Sequence, residues 1–223
     1  MLAVHYHRFL PRDVLIDWLW ERDDATEHTT QFFVIVHELR RLLAGSETER
    51  AHPVIIRDGD RYQLTLGSDV WLDLAEFDRL LEIARRADTA GDRLSAIDAY
   101  SRAVDLYRDD LLADEPYAEW CWMERERRRE QCIAALRQLA RAWSAMGQWD
   151  SSIVALRRAL ELDRFREDIH RELMRALWAA GRRAKAIRQF AECARLLRQE
   201  LGMEPDPETF ALLDQIRRSP HSS

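Results

Sequence analysis

Histidine and cysteine are the residues here that most often hold metal ions, and the chain has seven His and three Cys among 223 residues. The segment HELRR from His37 resembles the HExxH zinc motif, but Arg41 stands where the second zinc-binding His is needed. The cysteines (Cys121, Cys132 and Cys193) lie far apart without a CxxC pair. Neither a zinc site nor a disulfide framework is indicated, and all three are interpreted as small buried side chains.

Catalytic sequence motifs are also absent. The chain has no GxxxxGK[ST] phosphate loop, no GxGxxG dinucleotide motif and no GxSxG nucleophile turn. His170 has Glu167 and Asp168 nearby, but it falls within a helical pattern and is interpreted as structural. The sequence therefore predicts neither an enzyme nor a cofactor.

Charge and hydropathy narrow the choice of partners. The formal net charge of −6 offers no bulk attraction to nucleic acid or to an anionic membrane. No apolar run approaches the roughly 20 residues of a membrane span. The start, MLAVHYHRFL, lacks the basic region of a signal peptide. A cytoplasmic protein with no membrane partner is expected.

The segment EPYAEWCWMERERRRE, residues 115–130, combines aromatic side chains with dense charge. Its charges mix both signs, which is typical of a solvent-exposed helix face and not of a nucleic-acid clamp. Trp120 and Trp122 are two positions apart and cannot share one helix face, so one of them is expected to be partly exposed. Downstream, Ile133, Leu136 and Ala140 continue an apolar helical stripe.

The second half of the chain contains a repeat. Three segments align without gaps from Gly91, Gly147 and Gly181, and the last two are 34 residues apart, the tetratricopeptide period. Each copy places Ile at the sixth step, a small residue at the twelfth and Leu at the fifteenth. Glycine permits a left-handed exit from one helix, and small residues let paired helices approach closely. A stack of helical pairs is predicted, closed by a capping helix that begins near Pro207.

The first 72 residues follow a different pattern. PRDVLIDWLW from Pro11 and QFFVIVHELRRLL from Gln31 each show helical spacing of apolar residues, with a polar connector over 21–30. After a polar loop over 45–53, VIIRDGDRYQLTL places two apolar segments around Asp58 and Gly59, which predicts a β-hairpin. This order of elements is that of a winged helix, whose second helix enters the major groove while the hairpin forms the wing.

With these elements in place, the sequence resembles the SARP-type bacterial transcriptional regulators, the AfsR and EmbR class. In that family an OmpR-like winged helix precedes a tetratricopeptide-like bacterial transcriptional activator domain. PRDVLIDWLW, LRRLL and DGDRYQL resemble the DNA-binding half, and YRDDLLADEPYAEWCWMERERRRE and LRQELGMEPDPETFALL resemble the activator half. Members usually open with several β-strands, whereas this chain begins inside the first helix of the pattern. A truncated winged helix with uncovered apolar surface around Leu2, Val4, Tyr6 and Phe9 is therefore expected.

The resemblance also implies where DNA would be contacted. Phe33 and Glu38 occupy positions that are often basic in the family, and residues 1–70 carry eight Arg against twelve Asp plus Glu, a net charge of −4. Polar and basic residues nonetheless remain on the second helix and the wing. The candidate DNA-binding residues are Thr29, Thr30, Gln31, His37, Arg40, Arg41, Arg57 and Arg61.

The sequence thus predicts a mostly α-helical protein. Its expected parts are a partial winged-helix domain over 1–72, a tetratricopeptide-like bacterial transcriptional activator domain over 73–218 and a loose tail over 219–223. The expected function is a transcriptional regulator that contacts double-stranded promoter DNA through the winged helix. Its helical repeats would contact RNA polymerase or another regulatory protein. Two alternatives stay open: a protein-interaction scaffold whose winged helix does not bind DNA, and an output fragment of a larger ATP-driven or signal-sensing regulator.

Overall fold

The computed structural model describes residues 1–20, 25–44, 54–67 and 70–218. These residues form two compact units, each assembled from two stretches of chain. Unit 1 contains residues 1–76 and 111–125, and unit 2 contains residues 77–110 and those from Glu126 onwards. The predicted polar loop over 45–53 and the tail over 219–223 lie outside the described residues.

Unit 1 contains a small antiparallel sheet and two helices. The elements run β1 (Leu10–Pro11), α1 (Arg12–Trp20), α2 (Ala25–Ala44), β2 (Ile55–Asp58) and β3 (Arg61–Leu64), and the sheet order is β1-β3-β2. The predicted hairpin is confirmed, with Asp58 paired to Arg61 across a two-residue turn. Gly59 in that turn has φ of +56°, a conformation that glycine adopts without steric cost. The short strand β1 is not predicted by the sequence.

The second helix begins earlier than its apolar stripe. The sequence predicts a polar connector through residue 30, but α2 already begins at Ala25, so the prediction is wrong for residues 25–30. This segment contains neither glycine nor proline, so nothing in it opposes helix. Tertiary packing also favours the added turn, because the His28 ring stacks on Trp20 of α1 with ring centres 4.8 Å apart.

The apolar side chains at the start of the chain are more buried than expected. Residues 2–7 form consecutive turns instead of the end of a helix. Val4 is only 4% exposed, while Leu2, Tyr6 and Phe9 are partly buried, so the expected uncovered apolar surface is not observed. Gln63 of β3 donates a hydrogen bond to the Tyr6 carbonyl (3.0 Å), and this contact folds the turns against the sheet.

The core of unit 1 joins the sheet to both helices. Phe32 of α2 meets Tyr62 of β3 edge to face, with ring centres 5.1 Å apart. Trp120, from the second stretch of the unit, stacks on Trp18 of α1 at 5.6 Å. Both contacts link residues that are distant in sequence, so they fix the arrangement of the unit's elements. The buried apolar residues of this core are Leu10, Leu15, Ile16, Phe32, Val36, Ile55 and Tyr62.

The remaining helices follow the predicted repeat. They are α3 (Asp73–Ala90), α4 (Arg93–Leu106), α5 (Trp122–Ala145), α6 (Trp149–Leu162), α7 (Glu167–Ala179), α8 (Arg183–Leu196) and α9 (Pro207–Arg218). The boundary between the units falls inside α3 and inside α5. A 3-10 turn over Glu119–Cys121 precedes α5, and a π-helical turn over Leu197–Leu201 follows α8.

The repeat spacing has the predicted structural consequences. Gly91, Gly147 and Gly181 all have φ between +71° and +75°, so each one ends a helix in a left-handed turn. The small residues at the twelfth step are buried, and Ala159 is fully inaccessible to solvent. The helices of unit 2 therefore approach closely at these positions, as the sequence predicts.

Candidate nucleic-acid interface

One face of α2 projects into solvent. Thr30, Val34, His37 and Arg41 follow one another at intervals of three or four residues, so they lie along a single helix face, and all four are exposed. On the opposite face, Phe32 and Val36 are buried in the core. At 20 residues, α2 is about 30 Å long, which is enough to present several successive turns to a ligand.

The predicted polar residues of α2 differ in their surroundings. Arg41 pairs with Glu38 one turn earlier, and Gln31 accepts a hydrogen bond from Nδ1 of His28 (3.1 Å). Both pairs are exposed, and exposed pairs contribute little to stability and separate readily. Thr29 is half-buried and turned away from the exposed face. The outer surface of α2 thus carries both signs of charge close together.

Arg40 has a structural contact. Its side chain is half-buried, and its Nε donates a 3.0 Å hydrogen bond to the carbonyl oxygen of Ile55 at the start of β2. This bond ties α2 to the hairpin, and it occupies one of the donors that a phosphate contact would use. Arg40 and Arg41 are adjacent in sequence but lie on different sides of the helix, because consecutive residues are separated by about 100°.

The hairpin brings two further arginines near α2. The Arg57 guanidinium lies 5.6 Å from the centre of the Phe33 ring, and its Nε donates to the Gly59 carbonyl (2.6 Å). Arg61 is exposed on the neighbouring strand. Asp58 and Asp60 lie in the same hairpin, so the wing carries no net charge.

The structure therefore brings Thr30, His37 and Arg41 together on one exposed face. Arg57 is held against Phe33 beside this helix, and Thr29 and Arg40 face inward. Leu42 and Val34 of α2 are 71% and 58% exposed, so large apolar side chains of this helix also face solvent. The exposure of Phe33 agrees with its occupying a position that is often basic in the resembled family.

His170 and the three cysteines are buried. His170 accepts a hydrogen bond from Gln189 at Nδ1 (2.7 Å) and donates one from Nε2 to the Arg164 carbonyl (2.9 Å). Burial lowers the pKa of His170, so the neutral ring is favoured. Burial raises the pKa of the Cys132 and Cys193 thiols to about 12, which keeps them protonated and inert. Cys121 is buried as well, in agreement with the interpretation of the three cysteines.

Metal-binding clusters and membrane-spanning helices do not occur among the described residues. No group of three or more His, Cys, Asp or Glu side chains is arranged to hold a metal ion in the parts of the chain that the structure describes. Within those same parts, no helix combines the length and apolar character needed to cross a membrane.

Known protein sequences provide a comparison for most of the chain. The family described as bacterial transcriptional activator domain matches residues 72–217. The regulatory protein AfsR of Streptomyces coelicolor is 29% identical over 204 residues, which are 91% of this chain and 20% of AfsR. The transcriptional regulatory protein MoaR1 of Mycobacterium tuberculosis is 25% identical over 98% of this chain and 70% of MoaR1. The chain thus spans one fifth of the length of AfsR.

A solved structure resembles the chain over almost its whole length. The structure of Mycobacterium tuberculosis EmbR in complex with a low affinity phosphopeptide has a TM-score of 0.83 and 25% sequence identity. The similarity covers 99% of this chain and 58% of the EmbR chain. The similar region therefore includes both the small sheet with its helices and the helical repeats.

Proposed function

The chain belongs to the bacterial transcriptional activator domain family and is of the SARP type, and from this premise we propose that it is a DNA-binding transcriptional regulator. Its α2 would lie in the major groove of promoter DNA, and the β2-β3 hairpin would follow the adjacent backbone. The observation that supports this proposal is the exposed face of α2 with Thr30, His37 and Arg41, placed beside a hairpin that carries Arg57 and Arg61.

The expected contacts are mainly to phosphates. Arg41 and Arg61 are exposed at the edge of this surface, and the exposed Val34 lies between Thr30 and His37 on the α2 face. Phosphate contacts fix orientation and affinity, while base edges supply specificity. Arg41 and Arg61 are proposed as phosphate ligands, with Thr30, Gln31 and His37 nearer to the bases. Arg40 is proposed to act indirectly by holding β2 in place through Ile55.

The setting and partners of this regulator follow from the same proposal. Promoter DNA in bacteria lies in the cytoplasm, so the protein would act there. Its helical repeats would contact RNA polymerase or another regulatory protein, because stacked helical pairs present extended concave surfaces suited to a protein partner. AfsR and MoaR1 are named as regulatory proteins, which is consistent with this assignment.

A binding selection tests the DNA proposal and identifies the operator at the same time. Duplexes with a random core are selected on the full chain at about 50 mM salt, where phosphate contacts are strongest. The selected duplex is then compared with a scrambled one. Arg41→Ala should weaken binding of both, and it should reduce the slope of log affinity against log salt by about one, because one phosphate contact is lost.

Two further arginine substitutions serve as controls for Arg41→Ala. Arg195→Ala removes a charge of the same sign from α8, where Arg195 pairs with Glu192, and should leave affinity nearly unchanged. Arg40→Ala should reduce both stability and affinity, because the bond to Ile55 is lost. If no duplex is enriched, or if Arg41→Ala binds as the parent does, the proposed DNA interface is wrong.

A protein-interaction scaffold is the second candidate. It is favoured by the net charge of −4 over residues 1–70 and by the exposed apolar side chains of α2, including Leu42. Exposed apolar patches on a folded protein commonly mark protein interfaces. Under this alternative, Leu42→Ser would abolish partner binding, and no DNA sequence would be enriched in the selection.

A further inference from the structure

Three large side chains in one short segment of unit 1 project into solvent. Tyr117 is 93% exposed, Met123 79% and Trp122 63%, and all three lie between the end of α4 and the first turn of α5. We call these residues the aromatic patch. Removing apolar surface from water lowers the free energy by roughly 25 cal/mol per Å². Three large exposed groups in one short segment are therefore typical of a surface that a partner covers.

The aromatic patch borders a concave surface. A groove of about 440 Å³ is lined by Pro116, Tyr117, Ala118, Glu119, Trp122 and Arg125. Its volume lies within the range of roughly 300–1,000 Å³ typical of sites that bind small groups. All of these residues belong to unit 1, so the groove is complete within that unit.

A single arginine holds the shape of this groove. The Arg125 guanidinium donates to the carbonyl oxygens of Leu111 (2.8 Å), Leu112 (3.2 Å) and Glu115 (3.1 Å). Leu112 itself has φ of +54°, a left-handed conformation that a leucine rarely adopts. Strained backbone that is held by such a network commonly occurs at binding sites. The loop therefore presents the aromatic patch from a fixed scaffold.

The charged residues of this segment indicate the charge of the ligand that the groove would bind. Residues 111–125 contain four acidic side chains, of which Asp114, Glu115 and Glu119 are exposed. The one arginine of this segment, Arg125, directs its guanidinium to backbone carbonyls. The flat faces of Tyr117 and Trp122 attract cations through their π systems. With four acidic side chains and one arginine, residues 111–125 carry a net charge of −3. Negative charge in the same segment as exposed aromatic rings favours a positively charged, planar group and opposes DNA.

From these observations we propose that the groove and the aromatic patch form a docking site for an arginine-bearing segment of a protein partner. The guanidinium stacks on Trp122 or Tyr117, and Glu119 accepts its hydrogen bonds. Arginine fits better than lysine, because its planar fork can stack on a ring and bind a carboxylate at the same time. This site is separate from the proposed DNA-binding face of α2 and does not depend on it.

A peptide titration tests the docking site. The probe is a fluorescein-labelled dodecapeptide of alternating Arg and Ser, and the comparison peptides replace Arg with Lys or Glu. The full chain should bind the Arg peptide more tightly than the Lys peptide and should not bind the Glu peptide. The double substitution Tyr117→Ala with Trp122→Ala should weaken binding about tenfold, because two cation–π contacts are lost. Glu119→Lys should weaken binding further.

Matched controls distinguish this site from general attraction to an acidic protein. Trp71→Ala removes another exposed tryptophan (71% exposed), and Glu161→Lys makes the same charge change on an exposed position of α6; both should bind as the parent does. Amide shifts induced by the Arg peptide should lie within residues 111–125. Affinity for the selected DNA duplex should be unchanged in all variants, so failure of this proposal is distinguishable from failure of the DNA proposal.

Several results would overturn the proposal. The Arg peptide binding no better than the Glu peptide would exclude a cation site. Equal weakening by Trp71→Ala, or amide shifts confined to α2 or unit 2, would place the cationic ligand elsewhere. If sedimentation shows that the parent self-associates and that Trp122→Ala abolishes the association, the occupant is a second copy of the chain.

Discussion

At the scale of the residue, His170 couples the stability of unit 2 to pH. Its folded-state pKa lies below the usual value because burial disfavours the charged ring, while in the unfolded chain the ring titrates near a pKa of about 6.5. As the pH falls, the unfolded chain therefore binds the additional proton at a higher pH than the folded protein does. The contribution of His170 to the free energy of unfolding is complete above about pH 6.5. Below that pH the free energy of unfolding decreases, by at most about 1.4 kcal/mol per pH unit.

This prediction is checked by urea unfolding at about pH 7.5 and about pH 5.5, on either side of the unfolded-state pKa. His170→Gln should reduce the loss of unfolding free energy between these two values, and His7→Gln, at an exposed position, serves as the control. His5 in unit 1 contributes in the same direction, since burial lowers its pKa to about 4, and it is present in every variant. An unchanged pH dependence in His170→Gln would contradict the assignment.

Residue placement also shows what the sequence predicts about the candidate site. Helical periodicity places Arg40 four positions after buried Val36, and so on the inner side of α2, while Arg41 falls on the outer side. The sequence predicts the right set of elements but does not separate the roles of the two arginines. The Arg40 bond to Ile55 joins positions separated by a loop, and no local pattern indicates such a contact.

At the scale of the element, the close approach of the repeat helices explains an expected substitution effect. Ala159 of α6 is fully buried, so a tryptophan there has no space and must displace neighbouring helices. Ala159→Trp should lower the free energy of unfolding by about 3 kcal/mol. Val154→Trp on the same helix is the control, because Val154 is 66% exposed and should change stability by less than about 0.5 kcal/mol. Equal stability of both variants in urea melts would contradict close packing at Ala159.

Elements that depend on a local residue pattern can be predicted from the sequence. Elements that depend on contacts between distant residues cannot. The hairpin at Gly59 and the left-handed exits at Gly147 and Gly181 follow from residue type and spacing. Strand β1 has two residues and exists because Leu10 and Pro11 pair with Tyr62 and Arg61, far along the chain. The early start of α2 depends in the same way on the stack of His28 on Trp20.

At the scale of the whole molecule, each compact unit combines two separate stretches of chain. Residues 111–125 lie within the matched family region 72–217, yet they pack into unit 1 together with residues 1–76. The stack of Trp120 on Trp18 is a contact inside this discontinuous unit. Any cut near residue 72 therefore separates unit 1 into two pieces, although it leaves the helical repeats of unit 2 uninterrupted.

The consequence can be measured with a fragment of residues 73–218 and with two tryptophan variants of the full chain. The fragment should retain a helical far-UV spectrum and a cooperative melt, because the repeat helices bury their apolar faces against one another. Amides of residues 111–121 should exchange at least roughly fivefold faster than in the full chain, since an aromatic stack contributes about 1 kcal/mol and its loss favours local opening. Trp18→Ala in the full chain should reproduce this change, whereas Trp20→Ala should not, because Trp20 stacks on His28 instead. Unchanged exchange in both the fragment and Trp18→Ala would show that residues 111–121 are held without the first stretch of unit 1.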